Sequence, residues 1–246
     1  MEPAQVDELT NHLVARMGGD LLTAAERAGE KGCHVLAVRF ATTAWHRGIE
    51  RDVAMALRLQ ELEGAGLGAL AADEALEWAE LPNAPSYAAG IASEVMGRNG
   101  MVDRALALVE SALERSPDDD TLRLDRARLS IAAGEVVQGG LQAADLCVPG
   151  REMAEDAEIL VLDAARALLE QDRPDEALAV LDATAPHGHR VPDICELIAQ
   201  AEEMRQRLSS ARRWLVHTLS LDPRRDRTRQ TLSQLEDRMG IARSLS

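Results

Sequence analysis

A short charged pattern, Leu-Asp-x-x-Arg, occurs twice in the chain, and its charged members are Asp125 with Arg128 and Asp163 with Arg166. A guanidinium group holds a carboxylate through two parallel hydrogen bonds, so two such arginines in one groove would bind carboxylates of a partner. The same spacing places each aspartate one helical turn before its arginine, where the two form an ion pair worth about 0.2–0.5 kcal/mol to their own helix. The sequence leaves both interpretations open.

Signatures of catalysis are absent from the sequence. It contains no nucleophile elbow, phosphate-binding loop, zinc-protease motif or dinucleotide-binding glycine pattern. His187 and His189 are the one histidine pair at chelating distance, and we interpret them as part of a polar loop because no third ligand is near. We expect the three cysteines, Cys33, Cys147 and Cys195, to be reduced and packed. These features predict a protein that is not an enzyme and needs no cofactor or metal.

The segments that carry these residues are predicted to be helices. Of the 246 residues 46% are hydrophobic but only 2% are aromatic, which is typical of helices packed on helices through aliphatic side chains. Apolar residues recur at steps of three and four, prolines stand at helix starts and glycines stand between segments. These signals predict helices at 4–17, 20–29, 33–47, 50–63, 68–80, 86–98, 101–115, 119–133, 136–146, 152–171, 174–184, 192–207, 209–220 and 225–239.

The predicted helices recur at a fixed spacing. The interval from Gly100 to Gly134 equals that from Ala177 to Ala211, and both match the repeat length of about 34 residues in one class of helical-hairpin arrays. A small, large, small, proline pattern occurs twice, at Ala105, Val109, Ala112 and Pro117 and at Ala211, Leu215, Thr218 and Pro223. These segments resemble tetratricopeptide (TPR) repeats. The resemblance implies an all-α fold, a right-handed superhelical solenoid of antiparallel helix pairs whose first helices line a concave groove.

The resemblance covers residues 86–223. We therefore expect residues 1–85 to form degenerate hairpins of the same array and residues 224–246 to form a capping helix and tail. From Ala105 to Ala211 is four residues more than three repeats, and we place the extra residues around 149–151.

One unit departs from the TPR pattern. Gly139 and Gly140 stand where the small alanine of the repeat is expected. Because two adjacent glycines weaken a helix and leave no side chain to pack, we expect the unit that contains them to be bent or loosely packed.

Charge is unevenly distributed along the chain. The net charge of −15 argues against general binding to nucleic acid or anionic membranes, yet residues 204–246 hold ten arginines against four acidic residues. The patch consists of Arg205, Arg212, Arg213, Arg224, Arg225, Arg227 and Arg229. It can contact the phosphates of nucleic acid, dock an acidic partner or the acidic body of another copy, or be a solvated helix face. Trp214 is the one aromatic residue among these arginines, which disfavours stacking on single-stranded nucleic acid. No leader or long apolar run is present, so we expect a cytoplasmic protein that does not insert into membranes.

The resemblance implies a function in protein binding. We place the partner-binding groove at Arg128, Arg166, Asp125, Asp163, Glu94, Glu196 and Gln200. Our first hypothesis is a cytosolic adaptor or assembly chaperone of bacterial type, a source suggested by 26 arginines against the single Lys31, which is typical of a GC-rich genome. The alternatives are a self-assembling structural subunit, joined through acidic-body and basic-tail contacts, and a helical regulatory domain for a separate enzyme or transcription factor.

Overall fold

The structure, a computed structural model, describes residues 10–16, 19–81, 84–85, 87–185 and 187–240. In these ranges the chain forms fourteen α-helices, one 3-10 turn at Gly188–Arg190 and no strand. The helices are α1 (described at 10–16), α2 (Leu21–Glu30), α3 (His34–His46), α4 (Arg51–Gly64), α5 (Gly68–Ala79), α6 (Ala88–Arg98), α7 (Val102–Arg115), α8 (Asp120–Ala132), α9 (Val136–Ala144), α10 (Ala154–Glu170), α11 (Pro174–Ala183), α12 (Pro192–Met204), α13 (Leu208–Leu221) and α14 (Asp226–Arg238).

Each predicted helix corresponds to one of these elements, with ends that differ by three residues at most. The largest difference is at α12, which ends at Met204 where the pattern predicts residue 207. The predicted helix ends at residues 4, 17 and 86, and the tail after residue 240, lie outside the described residues.

The chain forms two compact units, Met1–Val109 and Glu110–Ser246. In the first unit each of α2 to α5 packs against the next helix, around a core in which Phe40 and Trp78 are the large buried side chains among many alanines. In the second unit α8 packs on α9, α10 on α11 and α12 on α13, and α14 covers α13. The predicted boundaries after residues 85 and 223 stay predictions.

Contacts between successive pairs complete the second unit. The first helices of the pairs adjoin one another, because α10 packs against both α8 and α12, and the second helices α9 and α11 do the same. The core between them contains Val161, Leu168, Leu181 and Ile198. This arrangement confirms the predicted all-α fold of stacked, TPR-like helix pairs.

One backbone conformation recurs in the links between the two helices of a pair, namely α6–α7, α8–α9, α10–α11 and α12–α13. Each has three residues, and the middle one is left-handed: Gly100 (φ 77°), Gly134 (φ 90°), Asp172 (φ 57°) and Gln206 (φ 61°). A single left-handed residue ends a helix and turns the chain back on itself. The interval between successive middle residues is the same at the first and last steps. It is four residues longer at the step between them, where the α9–α10 connection runs from 145 to 153. Helix α10 has 17 residues against 13 in α8 and in α12. The four extra residues therefore lengthen α10, which begins at Ala154, and the prediction that places them around 149–151 is wrong.

The expectation that the Gly139–Gly140 unit is loosely packed is wrong. A Cβ atom on Gly139 would lie 2.6 Å from the backbone oxygen of Ala127 in α8, and one on Gly140 would lie 2.8 Å from a methyl group of Val180 in α11. Both glycines are buried. The absence of side chains thus lets α9 approach two neighbouring helices closely, which a larger residue would prevent.

We predict that Gly139→Ala destabilises the protein. Alanine in place of glycine normally stabilises a helix by about 1 kcal/mol, whereas overpacking a filled interface costs about 1–3 kcal/mol. We expect a net loss of about 1 kcal/mol in the free energy of unfolding, measured by urea titration. Gln138→Ala, at an exposed position of the same helix, is the matched control and should change stability by less than about 0.5 kcal/mol. A gain in stability for Gly139→Ala would contradict the close approach.

Candidate functional site

A groove of about 590 Å³ lies on the second unit. Most of its lining comes from α10, α12 and α14, and we call it the α10–α14 groove. Its larger apolar side chains are Leu169, Leu197 and Leu215, and its charged ones are Arg166, Glu170, Asp193, Glu196, Glu203 and Arg227. It therefore combines charges of both signs with an apolar floor of largely buried leucines, and a peptide segment can bind to such a combination.

The spacing of residues along α12 explains how one helix supplies so much of this lining. Asp193, Glu196, Gln200 and Glu203 follow one another at steps of three, four and three, which places them on one helical face. Only Glu196 and Gln200 were predicted to lie in the groove. The same periodicity, applied to polar residues, identifies Asp193 and Glu203 as well.

The structure brings some of the predicted site residues together. Arg166, Glu196 and Gln200 line the α10–α14 groove, and they are joined by Arg227, which was predicted only as part of the basic patch. Arg128 and Asp125 lie on α8 and are not among the lining residues.

Glu94 lies in the first unit. It forms an ion pair with Arg98 (2.6 Å) beside a depression that Glu63 and Ile91 also line. Its assignment to the partner-binding groove stays a prediction.

The Leu-Asp-x-x-Arg repeats form the intrahelical ion pairs that their spacing allows. Nη1 of Arg128 lies 3.1 Å from Oδ1 of Asp125, and Nη1 of Arg166 lies 3.1 Å from Oδ1 of Asp163. The arginine side chains are nonetheless 52% and 50% exposed. A guanidinium group has five N–H donors, so each of these pairs leaves donors for a further carboxylate.

Arg225 fixes the wall of the groove. Its Nη1 donates hydrogen bonds to Asp193 and to Glu196, both at 2.9 Å, and its Nε donates to Asp222 at 3.3 Å. The hydroxyl of Thr228 donates to the other oxygen of Glu196 at 2.6 Å. These bonds connect α12 to the start of α14, so they hold in place two helices that line the groove.

These contacts shift the pKa values of Asp193 and Arg225. The hydrogen bond from Arg225 lowers the pKa of Asp193, and partial burial opposes it only in part. The pKa of Arg225 is raised in return, chiefly by the hydrogen bond to Asp193. Glu196, which the sequence offers as a binding residue, is therefore already engaged by two side chains of the same unit.

More than half of the basic patch is neutralised internally. Arg205 pairs with Asp175 (2.8 Å), Arg212 pairs with Glu236 (2.8 Å), Arg225 holds its three carboxylates and Arg229 pairs with Asp226. In contrast, no carboxylate of the described chain lies within 4 Å of the guanidinium groups of Arg213, Arg224 and Arg227. Only these three of the seven keep their full charge available to a partner.

The cysteines are less uniform than expected. Cys147 is half-buried and Cys195 is buried, but Cys33 is exposed, so the prediction that all three are packed is wrong for Cys33. Cys33 directly precedes α3, where the turn leaves its side chain in solvent. Burial raises the pKa of Cys147 to about 12 and that of Cys195 to about 11, which keeps both as unreactive thiols.

The described ranges contain neither a metal site nor a helix that could span a membrane. In those ranges no three side chains of His, Cys, Asp or Glu come together as a metal site. None of their helices has both the length and the apolar character that crossing a bilayer demands.

Comparison with known proteins shows similarity at the level of the fold. No family model and no curated protein matches the chain. Among solved structures, it is similar to the TPR domain of P58(IPK), determined by crystallography at 2.5 Å, with a TM-score of 0.35 and 13% identity. The similarity covers 99% of this chain and 71% of the other. At this level it carries no inference about what the protein binds.

We predict that Arg225→Gln lowers stability in a pH-dependent manner. A carboxylate with a lowered pKa stabilises the fold above its unfolded value of about 3.9, and this contribution is lost as the pH falls through the folded-state pKa. At pH 7 we expect a loss of about 1 kcal/mol, less than for a buried charged hydrogen bond because the cluster is partly exposed. The difference from the native protein should shrink towards pH 3 in urea titrations. Arg224→Gln, which removes one positive charge at the preceding residue, should show no such pH dependence.

Proposed function

We propose that this protein is a non-catalytic interaction module that binds a segment of a partner protein in the α10–α14 groove. The observation that carries the proposal is the presence of Arg166, Arg227 and an apolar surface in one groove built by three helices. Stacked helix pairs offer a continuous binding surface of this kind, and its specificity depends on the side chains that line it.

The charges that remain uncommitted in the groove indicate the chemistry of the partner. Asp193 and Glu196 are held by Arg225, and Glu203 pairs with Arg238. Arg227 has no carboxylate within 4 Å in the described chain, and Arg166, although paired with Asp163, is half-exposed. Glu170 also lines the groove, is exposed and forms no ion pair within the described ranges, so it is available to a cationic group of the partner. The partner segment should therefore bring acidic side chains to these arginines and an apolar side chain to Leu169 and Leu197.

The binding surface can continue beyond the groove along the first helices. Arg128 occupies on α8 the position in Leu-Asp-x-x-Arg that Arg166 occupies on α10, and α8 packs against α10. A longer acidic segment would reach Arg128 as a second anchor. This extends the role that the sequence pattern assigns to Arg128 and Arg166.

Of the other two hypotheses, self-assembly is less favoured by the structure. An acidic-body, basic-tail contact between copies needs free cations, yet four of the seven patch arginines are spent on carboxylates of the same unit. A regulatory domain that acts on a separate enzyme or transcription factor would use the same groove. We therefore favour a cytosolic adaptor or assembly chaperone.

The groove is tested by charge reversal. Arg166→Glu combined with Arg227→Glu should abolish recovery of the partner in pull-downs from a lysate of the source cells, because it turns the two anchors into repulsive groups. Arg207→Glu combined with Arg224→Glu makes the same change at exposed positions outside the groove lining and should leave recovery unchanged. The proposal fails if a partner that binds the native protein and this control also binds the groove variant, with equal helicity by circular dichroism.

Light scattering at low and high salt separates the adaptor from the self-assembling subunit. Charge-driven contacts between copies weaken as salt screens them. We expect the mass of a single chain under both conditions, because most cations of the patch are already paired within the unit. Larger species that dissociate in high salt would instead support the structural subunit.

A further inference from the structure

A second depression on the same unit contains a concentration of cationic and aromatic side chains. It has a volume of about 600 Å³ and is lined by His189, Arg190, Arg213, Trp214 and His217. The first two belong to the 3-10 turn and the other three to α13. We call it the Trp214 depression; it shares no lining residue with the α10–α14 groove.

The aromatic part of this depression is held in place by several contacts. The imidazole ring of His189 lies edge-on to the indole of Trp214 with centroids 4.8 Å apart, and His217 makes a similar contact at 5.8 Å. Nε2 of His217 donates a hydrogen bond to the backbone oxygen of His189 at 2.8 Å. The turn is therefore fixed to α13, and the site is largely formed in the absence of a ligand.

The charge of the depression is opposite to that of the chain. Arg190 and Arg213 are both exposed, and in the described chain no carboxylate lies within 4 Å of either guanidinium group. The lining includes no acidic residue. Two unneutralised guanidinium groups beside an aromatic wall form a site for an anion with an organic substituent.

One polar atom of the lining is buried without a partner in the described part of the chain. Nε2 of His189 is buried and, within the described residues, has no hydrogen-bond partner. Buried polar atoms in folded proteins nearly always have a partner in the protein, in water or in a ligand.

We propose that the Trp214 depression binds a phosphate monoester. A phosphate monoester carries about −1.5 to −2 charges at pH 7 and three acceptor oxygens, so it can engage both Arg190 and Arg213. A carboxylate carries a single negative charge and two acceptor oxygens, so it would balance the charge of only one of the two guanidinium groups. The substituent on the phosphate lies against Trp214, in a space of the size that small organic ligands occupy.

Isothermal titration calorimetry with phenyl phosphate tests this proposal. We expect binding with one molecule per chain, weaker binding of inorganic phosphate, which has no group to place against Trp214, and at least tenfold weaker binding of benzoate. Adenosine monophosphate and a phosphoserine peptide then show whether the natural source is a free metabolite or a modified side chain.

Two double variants make the test specific. Arg190→Gln with Arg213→Gln should weaken phenyl phosphate binding at least tenfold. Arg207→Gln with Arg224→Gln removes the same charge from exposed arginines that do not line the depression, and it should retain native affinity. The proposal is overturned by the absence of binding heat, by benzoate that binds as tightly as phenyl phosphate, or by equal losses in the two variants. None of these residues lines the α10–α14 groove, so either outcome leaves the groove proposal standing.

Discussion

Alanine and glycine at helix contacts require those helices to approach closely, because a methyl group or a hydrogen atom fills little space. The second unit depends on this constraint at Gly139 and Gly140, where α9 lies against the backbone of α8 and against Val180 of α11. A protein with so few aromatic residues gains its apolar burial from many close contacts and not from a few large side chains. This close packing determines how neighbouring helix pairs lie against one another, and hence the surface that their first helices present.

Ion pairs inside the second unit determine which of its arginines stay available to a partner. The excess of arginine in residues 204–246 does not create a uniformly basic surface, because four of the seven patch arginines pair with acidic residues of the same unit. Arg225 alone holds Asp193 and Glu196, which lie much earlier in the chain, as well as the nearby Asp222. What remains is a small number of uncommitted guanidinium groups at defined places, and both proposed sites rest on them.

The sequence predicted the helices, the link positions and part of the groove for one physical reason. All three are governed by local periodicity: steps of three and four define a buried face, and a constant interval between equivalent positions defines the pair. The same periodicity predicts that Arg166, Glu196 and Gln200 face one groove, and they line the α10–α14 groove; that they bind a partner stays a prediction. The cluster around Arg225 was not found, since it joins side chains far apart in the sequence whose approach depends on how α14 packs.

The tightness around Gly139 was also not predictable from local pattern, because the same two glycines are compatible with a gap or with a close contact. Which of the two occurs is decided by the neighbouring helices α8 and α11. Trp214 illustrates a related limit: helical spacing brings His217 of the same helix to the indole, whereas the contact with His189 depends on the 3-10 turn before α12.

The left-handed link residues have a consequence for how such a chain can diverge. What repeats at Gly100, Gly134, Asp172 and Gln206 is a backbone angle, and three residue types satisfy it. Side-chain identity at these points is therefore free to drift while the hairpins keep their geometry. Since the equivalent joint lies inside each pair, recombination between two such joints would remove the second helix of one pair together with the first helix of the next. The first helix of the one pair would then meet the second helix of the other across the same joint, and a complete hairpin would be kept.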